Sequence, residues 1–236
     1  MSTVVCSGRI VCSLDLFPLS IDVEDKVFDS TSQTNIKALG ILLDGKLSMH
    51  DMVSSCCKSC FYQLKTFQSV KHYLDTDTKL MLVHTNILSR LDYCNILLSG
   101  ASKTLIKKLQ SIINASVRFI FNLGIYDPVS QYCKQCHILP VKYRIMFKSC
   151  LTVYKIVNHL APHYLNDLAK RVIPNRDNLR SSNDTLALAL PQKQKCIQHN
   201  MINNWNSLSF EIRDSNSVES FKKSLKTNYF QLAYVQ

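Results

Sequence analysis

Glutamate is nearly missing from this chain: 236 residues contain three, at Glu24, Glu211 and Glu219. Outside Glu24-Asp25 no two carboxylates are adjacent, and neither a G-x-S-x-G nor a P-loop pattern occurs. Metal-assisted phosphoryl transfer needs convergent carboxylates to hold its cations, so no residue is assigned a catalytic or metal-ligating role. His84, His159 and His163 stand alone on apolar or loop segments, where a hydrogen-bonded structural histidine fits better than an acid–base catalyst. No apolar run approaches the roughly 18–20 residues needed to cross a bilayer. Arg9 and Asp15 interrupt the mildly apolar start, which argues against a signal peptide. Ten cysteines without a secretory signal read as reduced thiols in a cytoplasmic or nuclear protein. Neither a membrane nor a small-molecule substrate is expected as a partner.

Glycine is scarce too, at five residues, and 46% of the chain is apolar, which together predict a compact, mainly helical protein. Charge is abundant and lopsided. Lys and Arg number 28 against 17 Asp and Glu, for a net charge of +11. Residues 1–45 hold 3 basic and 6 acidic side chains, leaving 25 basic and 11 acidic in residues 46–236. An anionic partner is favoured, and it would meet the helical part.

Residues 1–18 show no usable period and read as an irregular leader. From Leu19, LSIDV alternates apolar and polar, and KALGILLD is a short apolar run bounded by Gly40 and Asp44-Gly45. These are strand signals, so a small antiparallel β hairpin is expected within 19–45. Lys46 to Tyr73 reads as a helix with Met52, Cys56, Phe61 or Tyr62, Leu64 and Phe67 near one face. Asp75 or Asp77 then opens an almost wholly apolar helix that should run to Ser99-Gly100. The helix after it is two-faced: at 100° per residue Leu105, Leu109, Ile112, Ile113 and Ile120 fall on one side, and Lys103, Lys107 and Arg118 on the other. GIYDPVSQYCKQCHILP reads as a loop stopped by Pro140. Val141 to Leu160 is a second amphipathic helix, with Arg144, Lys148 and Lys155 within about 40° of one another and Met146, Cys150, Val153 and Val157 opposite. A short helix with Pro162 in its first turn completes a helical domain over 46–173. Residues 174–194, with the polar run Pro174 to Asp184, read as a linker. The region 195–236 is helical and less regular, ending in a helix from Ser217 with Phe221, Leu225 and Tyr229 on one face.

Two cysteine motifs raise cofactor chemistry. Cys133-Lys134-Gln135-Cys136-His137 has the C-x-x-C-H spacing of covalent haem attachment, and Cys57-Lys58-Ser59-Cys60 could join it in a four-thiolate zinc site. Haem attachment belongs to exported or organellar proteins. The first pair sits inside a helical pattern more than 70 residues from the second, so cysteine as a small buried hydrophobe is the better reading. No cofactor is expected in this chain.

At LDYCN (Leu91 to Asn95) and KKLQSIINASVRFI (Lys107 to Ile120) the chain resembles the region after the catalytic palm in non-LTR, LINE-type (Jockey-like) retrotransposon reverse transcriptases. Further landmarks follow in family order: ALGILLDGKLS (Ala38 to Ser48), ILPVKYRIMFK (Ile138 to Lys148), YKIVNHLAPHYLNDL (Tyr154 to Leu168), LRSS (Leu179 to Ser182), WNSL (Trp205 to Leu208) and FKKSLKTNYF (Phe221 to Phe230). The resemblance implies a palm-end hairpin and then a thumb-like helical bundle that holds template and primer. It also implies that the paired aspartates of the polymerase, with their Mg²⁺, would precede residue 1. Ile138 stands where the family usually has Trp, and Ser209 where it usually has Pro, which suggests a truncated or decayed copy. The expected function is therefore sequence-nonspecific grip on an RNA–DNA or DNA duplex by Lys103, Lys107, Arg118, Arg144, Lys148 and Lys155 on one face, without catalysis. The alternatives are a host-retained scaffold for RNA or protein, and a pseudogene product.

Overall fold

The structure, a computed structural model, describes residues 21–23, 26–28, 36–44, 48–170, 186–191 and 197–234. The expected leader and the polar run Pro174 to Asp184 lie outside them. The fold is mainly α, as composition predicts.

The expected single hairpin resolves into two antiparallel ribbons. β1 (Ile21–Val23) pairs with β2 (Lys26–Phe28), and β3 (Ile36–Ala38) with β4 (Ile41–Leu43), Ile36 facing Leu43. The second ribbon turns through Leu39 and Gly40, both at positive φ (48° and 81°). That backbone twist matches the twist of the flanking strands, and Gly40 supplies one of the two left-handed positions without steric cost.

Helix α1 (His50–Ser69) starts where the Asp44 carboxylate accepts from the amides of Ser48 (3.0 Å) and Met49 (3.2 Å). It buries Val53, Cys60 and Leu64, while Phe61 and Tyr62, one of which was expected on the inner face, are both exposed.

The helix expected from Asp75 to Gly100 is not continuous. Asp75 does cap α2 (Thr76–Val83), accepting from the Thr78 amide at 3.3 Å. Beyond it the chain widens into one π-helical stretch, His84–Leu88, and narrows again to α3 (Ser89–Asp92). Tyr93 is extended and Cys94 left-handed (φ 51°), which stops the helix before a 3₁₀ segment, Asn95–Gly100. The sequence hid this break, because its apolar residues fall on nearly every side and leave no periodic face to mark it, although the folded segment buries Val83, Ile87, Leu88 and Leu91 and exposes Met81, Thr85, Ser89 and Arg90.

Helix α4 (Lys103–Phe121) is capped by Ser102 and ends at Asn122, itself left-handed at φ 56°. The predicted stripe is its core face: Leu105, Leu109, Ile112, Ile113 and Ile120 are all buried, and Val117 is buried with them. The buried Lys79 reaches over the C-terminal end of α4 and donates to the Asn122 side chain at 3.3 Å, putting a cation where the helix dipole is negative. The expected loop after α4 contains a short helix, α5 (Ser130–Gln135). Six residues are too few to register as a period. Helix α6 (Val141–Val157) follows.

Two compact units divide within α6. One runs to Ile145 and takes in the chain's last turns from Tyr229, and the other is Met146–Asn228. The core of the first is built by α1, α4 and the segment Val83 to Leu91, with Cys133, Ile138, Val141 and Ile145. In the second, α7 (Ile197–Asn206), α8 (Phe210–Arg213) and, as far as Asn228, α9 (Val218–Tyr234) follow a 3₁₀ turn, His163–Leu168. Tyr154 stacks on Phe221 with centroids 4.2 Å apart. Trp205 is fully buried and donates its indole N–H to the Leu186 carbonyl at 2.9 Å. Phe221, Leu225 and Tyr229 are buried on one face of α9, as their spacing predicts.

Candidate nucleic-acid interface

Helix α4 holds its basic residues by elementary geometry. With the apolar stripe inward, positions 103, 107, 111, 114 and 118 recur within about 80° on the outer side and span about 22 Å of helix. Lys103 and Lys107 are exposed at its start, and no described carboxylate forms an ion pair with either. Lys108, one step round the helix, is exposed as well. The choice of a single stripe overlooked it, although the doublet Lys107-Lys108 is the signal that could have found it.

Arg118, at the far end of the stripe, is already occupied. Its Nε donates to the Gly124 carbonyl at 3.1 Å and its Nη2 to the Asp127 carbonyl at 3.4 Å, while the Asp127 carboxylate accepts from the Gly124 amide at 2.7 Å. The guanidinium holds the turn that follows α4.

Arg144 departs further from expectation. Its side chain is 16% exposed and grips Asp92: Nε donates to Oδ1 at 2.9 Å and Nη2 to Oδ2. Asn95 adds a hydrogen bond to the same Oδ1 at 3.2 Å. A two-point guanidinium–carboxylate pair fixes both orientation and position, so Arg144 is a structural residue of the first unit and not an outward phosphate contact. The helical wheel put it beside Lys148 because both face the same way. It could not show that Asp92 waits there. The start of α6 is tied to α4 as well, since the Gln110 side chain accepts from the Val141 amide at 3.0 Å.

Lys148 and Lys155, in the Met146–Asn228 unit, are exposed, two turns apart on α6, and free of carboxylate partners among the described residues. The six expected contacts thus separate into four available lysines, two in each unit, and two arginines committed to the protein's own chain.

Cys133 is buried in α5, its carbonyl accepts from the Ile138 amide at 2.9 Å, and Tyr234 donates its hydroxyl to the Ile138 carbonyl. Burial pushes the thiols of Cys133 and Cys136 up, the reverse of what a ligating thiolate needs. Among the described residues no three His, Cys, Asp or Glu side chains gather in a way that could hold a metal ion. Likewise no described helix is long and apolar enough to cross a membrane.

Comparison with protein-family models, with curated proteins and with solved structures returns no match.

Proposed function

We propose that this chain binds a nucleic-acid duplex through its phosphates, as the part after the palm in a reverse transcriptase of the non-LTR kind, and carries no catalytic centre of its own. The observation that carries the reading is the exposure of Lys103, Lys107, Lys148 and Lys155 on two helices whose other sides are buried, in a chain of net charge +11. Two of the quoted motifs also have a joint physical purpose: LDYCN supplies Asp92 and ILPVKYRIMFK supplies Arg144, and these two form the ion pair. Arg118 and Arg144 position elements and do not touch the ligand. Phosphate contact is blind to sequence, so binding is modest and falls steeply with salt.

A filter-binding series with an RNA–DNA duplex tests this. Each unit offers two phosphate contacts, and each pair gives a slope of log K against log salt of about −1.8. The quadruple Lys→Ala variant is expected to flatten it almost completely, and a variant that keeps the wild-type slope would overturn the reading. One observation favours the scaffold alternative: Phe61 and Tyr62 within α1, and Val70 and Tyr73 just after it, are large apolar side chains left exposed, surface that a protein partner could cover. Duplex binding that none of the four lysines affects, alongside a protein partner lost on Tyr62→Ser, would transfer the proposal to that reading.

A further inference from the structure

Between the β3–β4 turn and helices α1 and α3 lies a cavity of about 430 Å³, enough for a small organic ligand. Its lining is mixed: Ile41, Leu42 and Met52 are apolar, Ser55, Ser59 and Arg90 polar, and Cys56 also lines it. Tyr93 lines it too, and its hydroxyl donates to the Leu39 carbonyl in the β3–β4 turn at 2.7 Å.

Arg90 is oriented by neutral partners alone. Its Nη1 donates to the Ser59 hydroxyl. Its Nη2 donates at 3.0 Å to the Gln63 amide oxygen, with that amide turned so that its nitrogen donates to the Asn86 carbonyl at 3.1 Å. Among the described residues no carboxylate lines the cavity and none pairs with Arg90, which is exposed. Those residues give the cavity a positive charge and three serine hydroxyls beside a thiol, Ser89 being the third.

The three thiols of this helical segment are not equivalent. A hydrogen bond from Cys60 lowers the pKa of Cys56, with the Arg90 charge assisting against burial. Burial raises that of Cys57, and the same hydrogen bond, with burial, raises that of Cys60. Of the three, Cys56 alone lines the cavity.

We propose that Cys56 is a site of thiol–disulfide exchange with small acidic disulfides, the cavity seating the reagent and Arg90 receiving its carboxylate. Cys56 gives its proton to water, and the thiolate Sγ attacks the nearer sulfur of the reagent. A bond forms between them as the reagent's own S–S bond breaks, and the departing half leaves as a thiolate. The reagent is the oxidant: its leaving sulfur is reduced as the Cys56 sulfur is oxidised. This inference is independent of the nucleic-acid reading, because it uses none of the four lysines.

The test takes the full 236-residue chain, oxidised glutathione as the acidic disulfide and cystamine as a cationic one, with intact mass and peptide mapping as readouts. The expected result is a first adduct on Cys56, formed roughly tenfold faster with glutathione than with cystamine relative to a free-thiol peptide, a preference that shrinks with added salt. Arg90→Gln is expected to abolish the preference, and Cys56→Ser to remove the fast adduct. A first adduct mapped to Cys57, Cys60 or any other cysteine would overturn the proposal, and so would equal relative rates for the two reagents. The comparison of reagents uses only the wild-type protein, so it stands even where a variant fails to fold.

Discussion

Arg144 on α6 closes a two-point ion pair on Asp92, 52 residues earlier at the end of α3, with Nε 2.9 Å from Oδ1. The Asp92 side chain is 30% exposed and that of Arg144 16%, so each charge has left most of its water and depends on the other. Removing one partner leaves the second half-buried and alone, which costs more than the pair itself contributes.

Arg144→Ala is accordingly expected to lower stability by roughly 2–3 kcal/mol, and Asp92→Ala by a similar amount. Urea midpoints of both single variants and the double variant check this. The double should cost clearly less than the sum of the singles. Additive losses would show that the pair is not coupled.

The outer lysines behave in the opposite way. Lys103→Ala with Lys107→Ala is expected to lessen the salt slope of duplex binding by about two while leaving the urea midpoint where it was. The pair separates ligand contact from structure, because the arginine variants should shift stability with little effect on the slope.

Asn122 closes α4 at φ 56°, a conformation that a β-carbon resists. Asn122→Gly and Asn122→Ala both lose the hydrogen bond from Lys79, so their difference isolates the backbone. The alanine variant is expected to be less stable than the glycine variant by about 1 kcal/mol, read from thermal or urea unfolding.

Two capping carboxylates contribute to the acid limb. Burial pushes Asp44 up, but hydrogen bonds from Ser48 and Met49 outweigh it and hold the group below its ordinary value of 3.8. Hydrogen bonds from Thr78 do the same for the exposed Asp75. A carboxylate depressed in the folded state contributes stability that is fully present above its unfolded pKa and is lost as pH falls through the folded one. Stability should therefore begin to fall below about pH 4. Asp44→Asn should lessen that decline, as followed by urea midpoints against pH.

Much of α4 was legible because a 100° apolar stripe marks the face it buries, whereas its Ser102 cap and its left-handed end at Asn122 emerge only in the structure. The helix start expected at Asp75 or Asp77, and the inward face of Phe221, Leu225 and Tyr229, were legible from local signals of the same kind. The break at Tyr93-Cys94 was not, because Cys94 has no local reason to be left-handed. The division inside α6 was also hidden, since the helical period runs through it unchanged. In the candidate interface the lysines could be read from their spacing. The fates of Arg118 and Arg144 could not, for their partners are a backbone turn beyond the helix end and an aspartate on a different helix. The cavity beside Cys56 is assembled from three separate segments and leaves no linear pattern.

Trp205 is the chain's only tryptophan, and it lies wholly within the Met146–Asn228 unit, against Phe221 and under the Leu186 carbonyl. Its fluorescence is therefore a private optical reporter of that unit, while the far-ultraviolet dichroism of α1 and α4 is dominated by the other. Following one denaturation by both signals asks whether the two units melt together: coincident curves mean one cooperative transition, and a fluorescence change that comes earlier or later means two.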